Sequence, residues 1–167
     1  MSHVENCINF INNSSSMFHA VEEVKKNCVN FIELNEGSKW NLEKGNSYYV
    51  TRNGSSIIDF TIGKNMENLA FNICASHTDS PTFKLKPNGE IESPFGLKGN
   101  VEGYGGMIVN TWLDRPLRIA GRVCIKRNGR IESVLYDSKV PVCCIPNVSI
   151  HMKRDLNESC TRMYSFY

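Results

Sequence analysis

Apolar positions along the first thirty residues recur with helical spacing. Val4, Cys7, Ile8 and Ile11 fall on one face of a predicted helix. The stretch "NSSS", residues 13–16, then offers N-caps, after which Phe18, Val21, Val24 and Cys28 repeat the period with Glu22, Glu23, Lys25 and Lys26 facing out. Each helix therefore has one face that needs a core to cover. From Phe31 the pattern shortens. "FIEL", residues 31–34, predicts a short strand, and "YYVTRNGSSIIDFTIG" predicts two strands flanking Asn53-Gly54, a dipeptide that readily takes the positive φ angles of a hairpin turn. "NLAFNICA", residues 68–75, is apolar at positions of both parities, as expected for a strand inside a sheet covered by helices. The first ninety residues thus predict the start of an α/β layer structure.

Beyond Pro81 the texture changes. "KLKPNGEIESPFGLKGNVEGYGG" is rich in glycine, proline and charge, and it leads into short strand patterns separated by turns such as Arg127-Asn128-Gly129. No helix is predicted there. A domain boundary is placed near residues 86–92, dividing the chain into an α/β part, residues 1–90, and an all-β part, residues 91–167. No internal repeat or low-complexity tract interrupts either.

Composition narrows the function classes. With 167 residues, 41% of them hydrophobic, 22% charged and a net charge of +2, the chain has the balance of a globular protein and no sign of a polyanion-binding face. Nucleic acid is not an expected partner. The N-terminus carries acidic residues and asparagines where a signal peptide has a basic start and an apolar core. No window approaches the roughly 18 apolar residues of a membrane helix. The 7 cysteines show no Cys-x-x-Cys spacing, so reduced thiols and a cytoplasmic location are expected, and the Asn-x-Ser/Thr triplets are expected to stay unglycosylated.

The chemistry of interest lies in "ASHTDSP", residues 75–81. An imidazole at the carboxyl end of a central strand sits where α/β sheets hold their ligands. Asp79 is close enough to reach one ring nitrogen of His77, fixing its tautomer while the other nitrogen binds a metal. Pro81 directs the chain away from helix. The plainer alternative is a strand-end histidine that donates to a nearby carbonyl. His151, after the alternating Ile145, Val148 and Ile150, reads by itself as another strand-end histidine. Glycines 103, 105 and 106 suit a turn or a close backbone approach, and Asp114 and Arg115 suit loop organisation. His3 and His19 lie on helical segments and are assigned no catalytic part. Adjacent Cys143 and Cys144 point to opposite faces of a strand, as buried or edge thiols would.

Four blocks, "YYVTRNGSSIIDFTIG", "ASHTDSPTFKLKP", "NVEGYGGMIVNTWLDRPLRIAGRV" and "IPNVSIHMKRDLNE", resemble in order the N-terminal part of the aspartyl aminopeptidase family, which includes vacuolar aminopeptidase I. The resemblance runs from about Ser15 to Glu158. It implies part of a three-layer α/β/α zinc-exopeptidase domain followed by an inserted, incomplete all-β dimerisation domain. It also implies a zinc-dependent aminopeptidase that releases N-terminal residues of peptides by metal-activated water. His77 is similar to the family's first metal ligand, Asp79 to the carboxylate that orients that ring, and His151 to a histidine that binds substrate in the neighbouring subunit's site. The implied cofactor is Zn2+, two ions per complete site, and the implied partners are peptide substrates and further copies of the chain, as dimer-based dodecamers.

In the family the bridging aspartate, the general-base glutamate and the remaining ligands follow the inserted domain, beyond Tyr167. Residues Ser159–Tyr167 also depart from the family pattern, which a frameshift, a premature stop or a deliberate fragment would explain. The alternative expectation is therefore a truncated, catalytically inactive chain acting only as an association module. A partial sheet, with its open edge and apolar face, is expected to make the isolated chain marginally stable and prone to self-association.

Overall fold

The structure, a computed structural model, describes residues 2–65, 67, 70–94, 96–152 and 154. Helices α1 (His3–Asn13) and α2 (Met17–Asn27) begin where the sequence predicts. Ser2 and Glu5 form a reciprocal capping box at α1, the Glu5 amide donating to Ser2 Oγ over 3.2 Å and the Ser2 amide to Glu5 Oε2 over 2.7 Å. Ser16, within the predicted cap stretch, accepts from the His19 amide at the start of α2. The apolar face of α2 buries Ala20 and Val21, whereas α1 has no buried residue.

Three strands make a mixed sheet. β1 (Ile32–Leu34) runs parallel to β2 (Ser47–Arg52), and β2 pairs antiparallel with β3 (Ser56–Thr61). Asn53 and Gly54 in the connection have φ of 54° and 63°, the positive angles their residue types accept. Alternation along β2 puts Tyr48 and Val50 on one buried face. With Ala20, Val21 and Cys28 they form the core, and Phe60 stacks on Tyr48 at 5.6 Å between ring centres.

Two antiparallel ribbons follow. β4 (Thr82–Ser93) pairs with β5 (Gly96–Tyr104), and β6 (Ala120–Arg127) pairs with β7 (Arg130–Asp137) through the Asn128-Gly129 turn, both of whose residues have positive φ. The first ribbon lies in the stretch whose glycine, proline and charge obscured any strand pattern. Pro87 lacks an amide to donate, and it falls within the register shift between Leu85 and Glu90, the kind of irregularity where strands accept proline. A short 3-10 helix, Val109–Trp112, separates the ribbons. Beyond β7 the expected short strands reduce to isolated bridges, Leu117 to Cys143 and Leu113 to Ile145.

"NLAFNICA" departs most from expectation. Its described residues, 70–75, belong to no strand, and Phe71 and Ile73 are 80% and 86% exposed. An apolar run becomes a buried strand only beside another backbone, and none of the described strands lies alongside this one.

Polar clasps tie the second ribbon to the helices and the first hairpin. Ser15 Oγ donates to Asp137 Oδ2 over 2.8 Å. Arg122 donates to the backbone oxygen of Asn53 over 2.7 Å, while its guanidinium lies 4.3 Å from the centre of the Phe18 ring. No helix among the described residues is long and apolar enough to cross a membrane.

Candidate metal-binding site

His77 lies in the irregular segment that leads into β4, with its side chain 79% exposed rather than at the tip of a buried strand. Two hydrogen bonds fix the surroundings of that segment. Thr78 Oγ1 donates to the backbone oxygen of Ser55 in the first hairpin over 2.7 Å, and Tyr104 at the end of β5 donates through its hydroxyl to Asp79 Oδ2 over 2.6 Å.

Both expectations for the histidine are visible at Nδ1. The backbone oxygen of Asp79 lies 2.7 Å from it, and Asp79 Oδ1 lies 3.1 Å away. With two acceptors at hand, Nδ1 is the nitrogen placed to donate in the neutral ring, the tautomer that keeps the lone pair on Nε2. This is a suitable arrangement for a metal donor. The hydrogen bond from Tyr104, with a lesser contribution from the His77 ring, holds the Asp79 carboxyl below the ordinary aspartate value. The same bond pushes the Tyr104 phenol up, because the neighbouring carboxylate disfavours phenolate.

Among the described residues no group of three or more His, Cys, Asp or Glu side chains could enclose a metal ion, so His77 offers one donor of such a site. His151 lies in a turn in which the Met152 amide donates to the Ser149 backbone oxygen, and it has no hydrogen bond or ion pair with His77 or Asp79. The structure thus brings His77 and Asp79 together. A shallow concavity lined by Glu33, Leu34, Asn35, Glu36 and Thr51 includes none of the three.

The remaining singled-out residues have structural partners. Asp114, at a positive φ of 54°, accepts from the Asn147 amide over 3.0 Å, and its own amide donates to the Ile145 backbone oxygen. Arg115 donates to the backbone oxygen of Thr111. His19 Nδ1 contacts Ser16 Oγ at the cap of α2, and burial pushes its pKa down. Cys143 and Cys144 are both exposed, and the described cysteines form no disulfide; Cys160 lies outside the described residues, as do Ser159–Tyr167 generally. Tyr104 is the partner that sequence reasoning missed. It stands in "EGYGGM", where only the glycines drew notice, although a phenol among glycines is itself a signal.

Comparison with known proteins bears on the family and the fold. The sequence profile of the family described as Aminopeptidase I zinc metalloprotease (M18) matches residues 10–163. A probable M18 family aminopeptidase 2 of Clostridium novyi is 46% identical over 157 residues, covering 90% of this chain and 36% of the relative. Among solved structures, a chain in the cryo-EM structure of the Ape4 and Nbr1 complex superposes with a TM-score of 0.83 at 41% identity, over 95% of this chain and 31% of that one. A chain of the S. cerevisiae mApe1 dodecamer gives a TM-score of 0.72 at 33% identity, over 84% and 34%. The α/β fold is therefore similar to that of M18 aminopeptidases, and the chain spans about a third of their length.

Proposed function

Because the chain belongs to the Aminopeptidase I zinc metalloprotease (M18) family, we propose that it supplies the N-terminal portion of a zinc-dependent aminopeptidase, an enzyme that removes N-terminal residues from peptides. The observation that carries this reading is His77 with its Nδ1 engaged by Asp79, which assigns the donor role to Nε2. A zinc ion, when bound, supplies Lewis acidity that lowers the pKa of water and polarises a substrate carbonyl. His77 fits one ligand position of a two-zinc site. Asp79 keeps the ring in the donor tautomer and adds negative charge behind it, which favours a cation at Nε2.

The same reading assigns residues 1–90 to a three-layer α/β/α catalytic domain and residues 91–167 to an inserted β-rich dimerisation domain, with His151 reaching substrate in a neighbouring subunit. The change from the mixed sheet of β1–β3 to two-stranded ribbons from Thr82 onward supports a division of this kind, although β4 itself runs across residues 90 and 91. Likeness to a chain of a dodecamer supports homo-oligomerisation.

The test is a chimera in which residues 10–158 replace the matching segment of the Clostridium novyi relative. Hydrolysis of a small aminoacyl substrate, with bound zinc measured by elemental analysis, is expected in the chimera and lost together with zinc in its His77→Ala variant. Full activity and undiminished zinc in that variant would sink the assignment. A second reading, an association module without catalysis, draws on the exposed Phe71 and Ile73. An inactive chimera that still assembles with the relative would favour it.

A further inference from the structure

We infer that Tyr104 is a positioning residue for the metal ligand, acting on His77 by holding the Asp79 carboxylate against the ring. This rests on the reading of His77 as a zinc donor oriented by Asp79, and it adds a third member from a different part of the chain.

Strand pairing brings the phenol to the site across 25 residues of sequence. Tyr104 is the last residue of β5, and its register partner is Thr82, which follows Pro81 directly and opens β4. The end of one strand is thereby fixed beside the loop that enters the other. Gly105 then turns the chain at a φ of +75°, and a Cβ built there would lie 3.5 Å from Pro81, so the turn sits directly against the histidine loop. Lys84, two positions beyond Thr82 and on the same face of β4, places its ammonium 5.4 Å from the centre of the Tyr104 ring. The ring is thus held on one side by the ribbon and on another by a cation.

The carboxylate has two oxygens and two side-chain partners. Oδ1 is 3.1 Å from His77 Nδ1, and Oδ2 accepts from the Tyr104 hydroxyl over 2.6 Å, a length typical of a charge-assisted O–H···O bond. Since the Asp79 backbone oxygen also faces Nδ1, at 2.7 Å, the tautomer survives loss of the carboxylate. What the carboxylate adds is charge, and the benefit of that charge depends on where the group points. Asp79 is 37% exposed at its side chain, so packing alone does not have to set its rotamer. The bond from Tyr104 sets it. It also draws some charge from the carboxylate, so Tyr104 sets position at a small cost in the charge that faces the ring.

The experiment uses the whole chain, labelled with 15N-histidine and free of metal, and compares Tyr104→Phe with Asp79→Asn. Tyr104→Phe keeps the ring over which Lys84 sits and removes only the hydroxyl. Asp79→Asn is expected to move the His77 Nδ1 and Nδ1–H signals towards those of free imidazole, and Tyr104→Phe to move them the same way by a smaller amount. Titration with Zn2+ alone, followed at His77 Nε2, should show a midpoint about tenfold higher in Asp79→Asn, the lower end of what losing an outer partner of a metal ligand costs, and a smaller rise in Tyr104→Phe. If Asp79→Asn moves the His77 signals and Tyr104→Phe does not, the inference falls while the reading of Asp79 stands. If neither moves them, both fall. A phenol that only supports the ribbon would perturb amides near Thr82 and Phe83 and leave the His77 ring unchanged.

Discussion

Replacing Asp137 with alanine should destabilise the fold more than any single charge removal on its surface. The side chain is 2% exposed, at the end of β7. Ser15 Oγ and the Lys139 amide each donate to it over 2.8 Å, Lys139 Nζ lies 3.1 Å away, and Arg118 Nη1 lies 3.7 Å away. Both cations reach into water, so each contributes at most about 1 kcal/mol. The hydroxyl and the amide matter more, because a hydrogen bond to an ionised acceptor is worth about 1.5–3 kcal/mol and both donors would be left without it. Allowing for partial rehydration, Asp137→Ala should cost about 3 kcal/mol and Asp137→Asn, which keeps one acceptor, about 1–2 kcal/mol. With a urea slope of about 2 kcal/mol/M, the alanine variant should unfold at a midpoint lower by about 1.5 M.

The pH dependence provides an independent check. Burial by itself would raise the Asp137 pKa, but the bonds from the Lys139 amide, Ser15 and the Lys139 ammonium, with the Arg118 charge, outweigh it and hold the carboxyl far below its ordinary 3.8. A depressed pKa contributes stability that is complete above the unfolded value and is lost as pH falls through the folded one. Wild-type stability should therefore drop below about pH 4, and Asp137→Asn should drop less steeply over the same range. A change under about 0.5 kcal/mol in Asp137→Ala, the scatter of ordinary surface substitutions, together with an unaltered acid slope, would refute the reasoning.

Other outcomes follow from the same structure. Gly54→Ala, at a φ of +63° with open space around it, should lose about 1 kcal/mol in urea unfolding through backbone conformation alone, whereas Gly106→Ala, with neither positive φ nor a close neighbour, should be near neutral. Arg122→Lys should lose about 1 kcal/mol, because an ammonium cannot both bond to Asn53 and lie flat over Phe18; tryptic cleavage in the hairpin should quicken if the clasp has been weakened. A cleavage rate like that of wild type would mean that the clasp contributes nothing to holding the hairpin.

What could be read in advance was local. Asn53-Gly54 and Asn128-Gly129 announce their turns because positive φ is decided within the dipeptide, and Ser16 announces its cap because the bond spans three residues. His77 and Asp79 stand two positions apart, so their meeting was readable too. Their link to Tyr104 was not, since it depends on the register of β4 and β5, and that ribbon shows little hydrophobic alternation because few of its residues are sheltered from water. "NLAFNICA" failed in the opposite way. Its apolar character was plain, but burial depends on a partner strand that no local pattern can supply.

The bond between Ser15 and Asp137 also bears on the order in which the chain assembles. It closes a loop of 122 residues, whereas the turn between β6 and β7 closes within two. Hairpins form in about 1–10 μs, while a distant clasp must first overcome a closure entropy that grows with the logarithm of loop length. Contacts made so late lie on the native side of the folding barrier, where their loss speeds unfolding and leaves the folding rate nearly unchanged. Asp137 thus acts as a latch on lifetime: it governs how long the assembled helices and ribbons stay together more than how soon they meet.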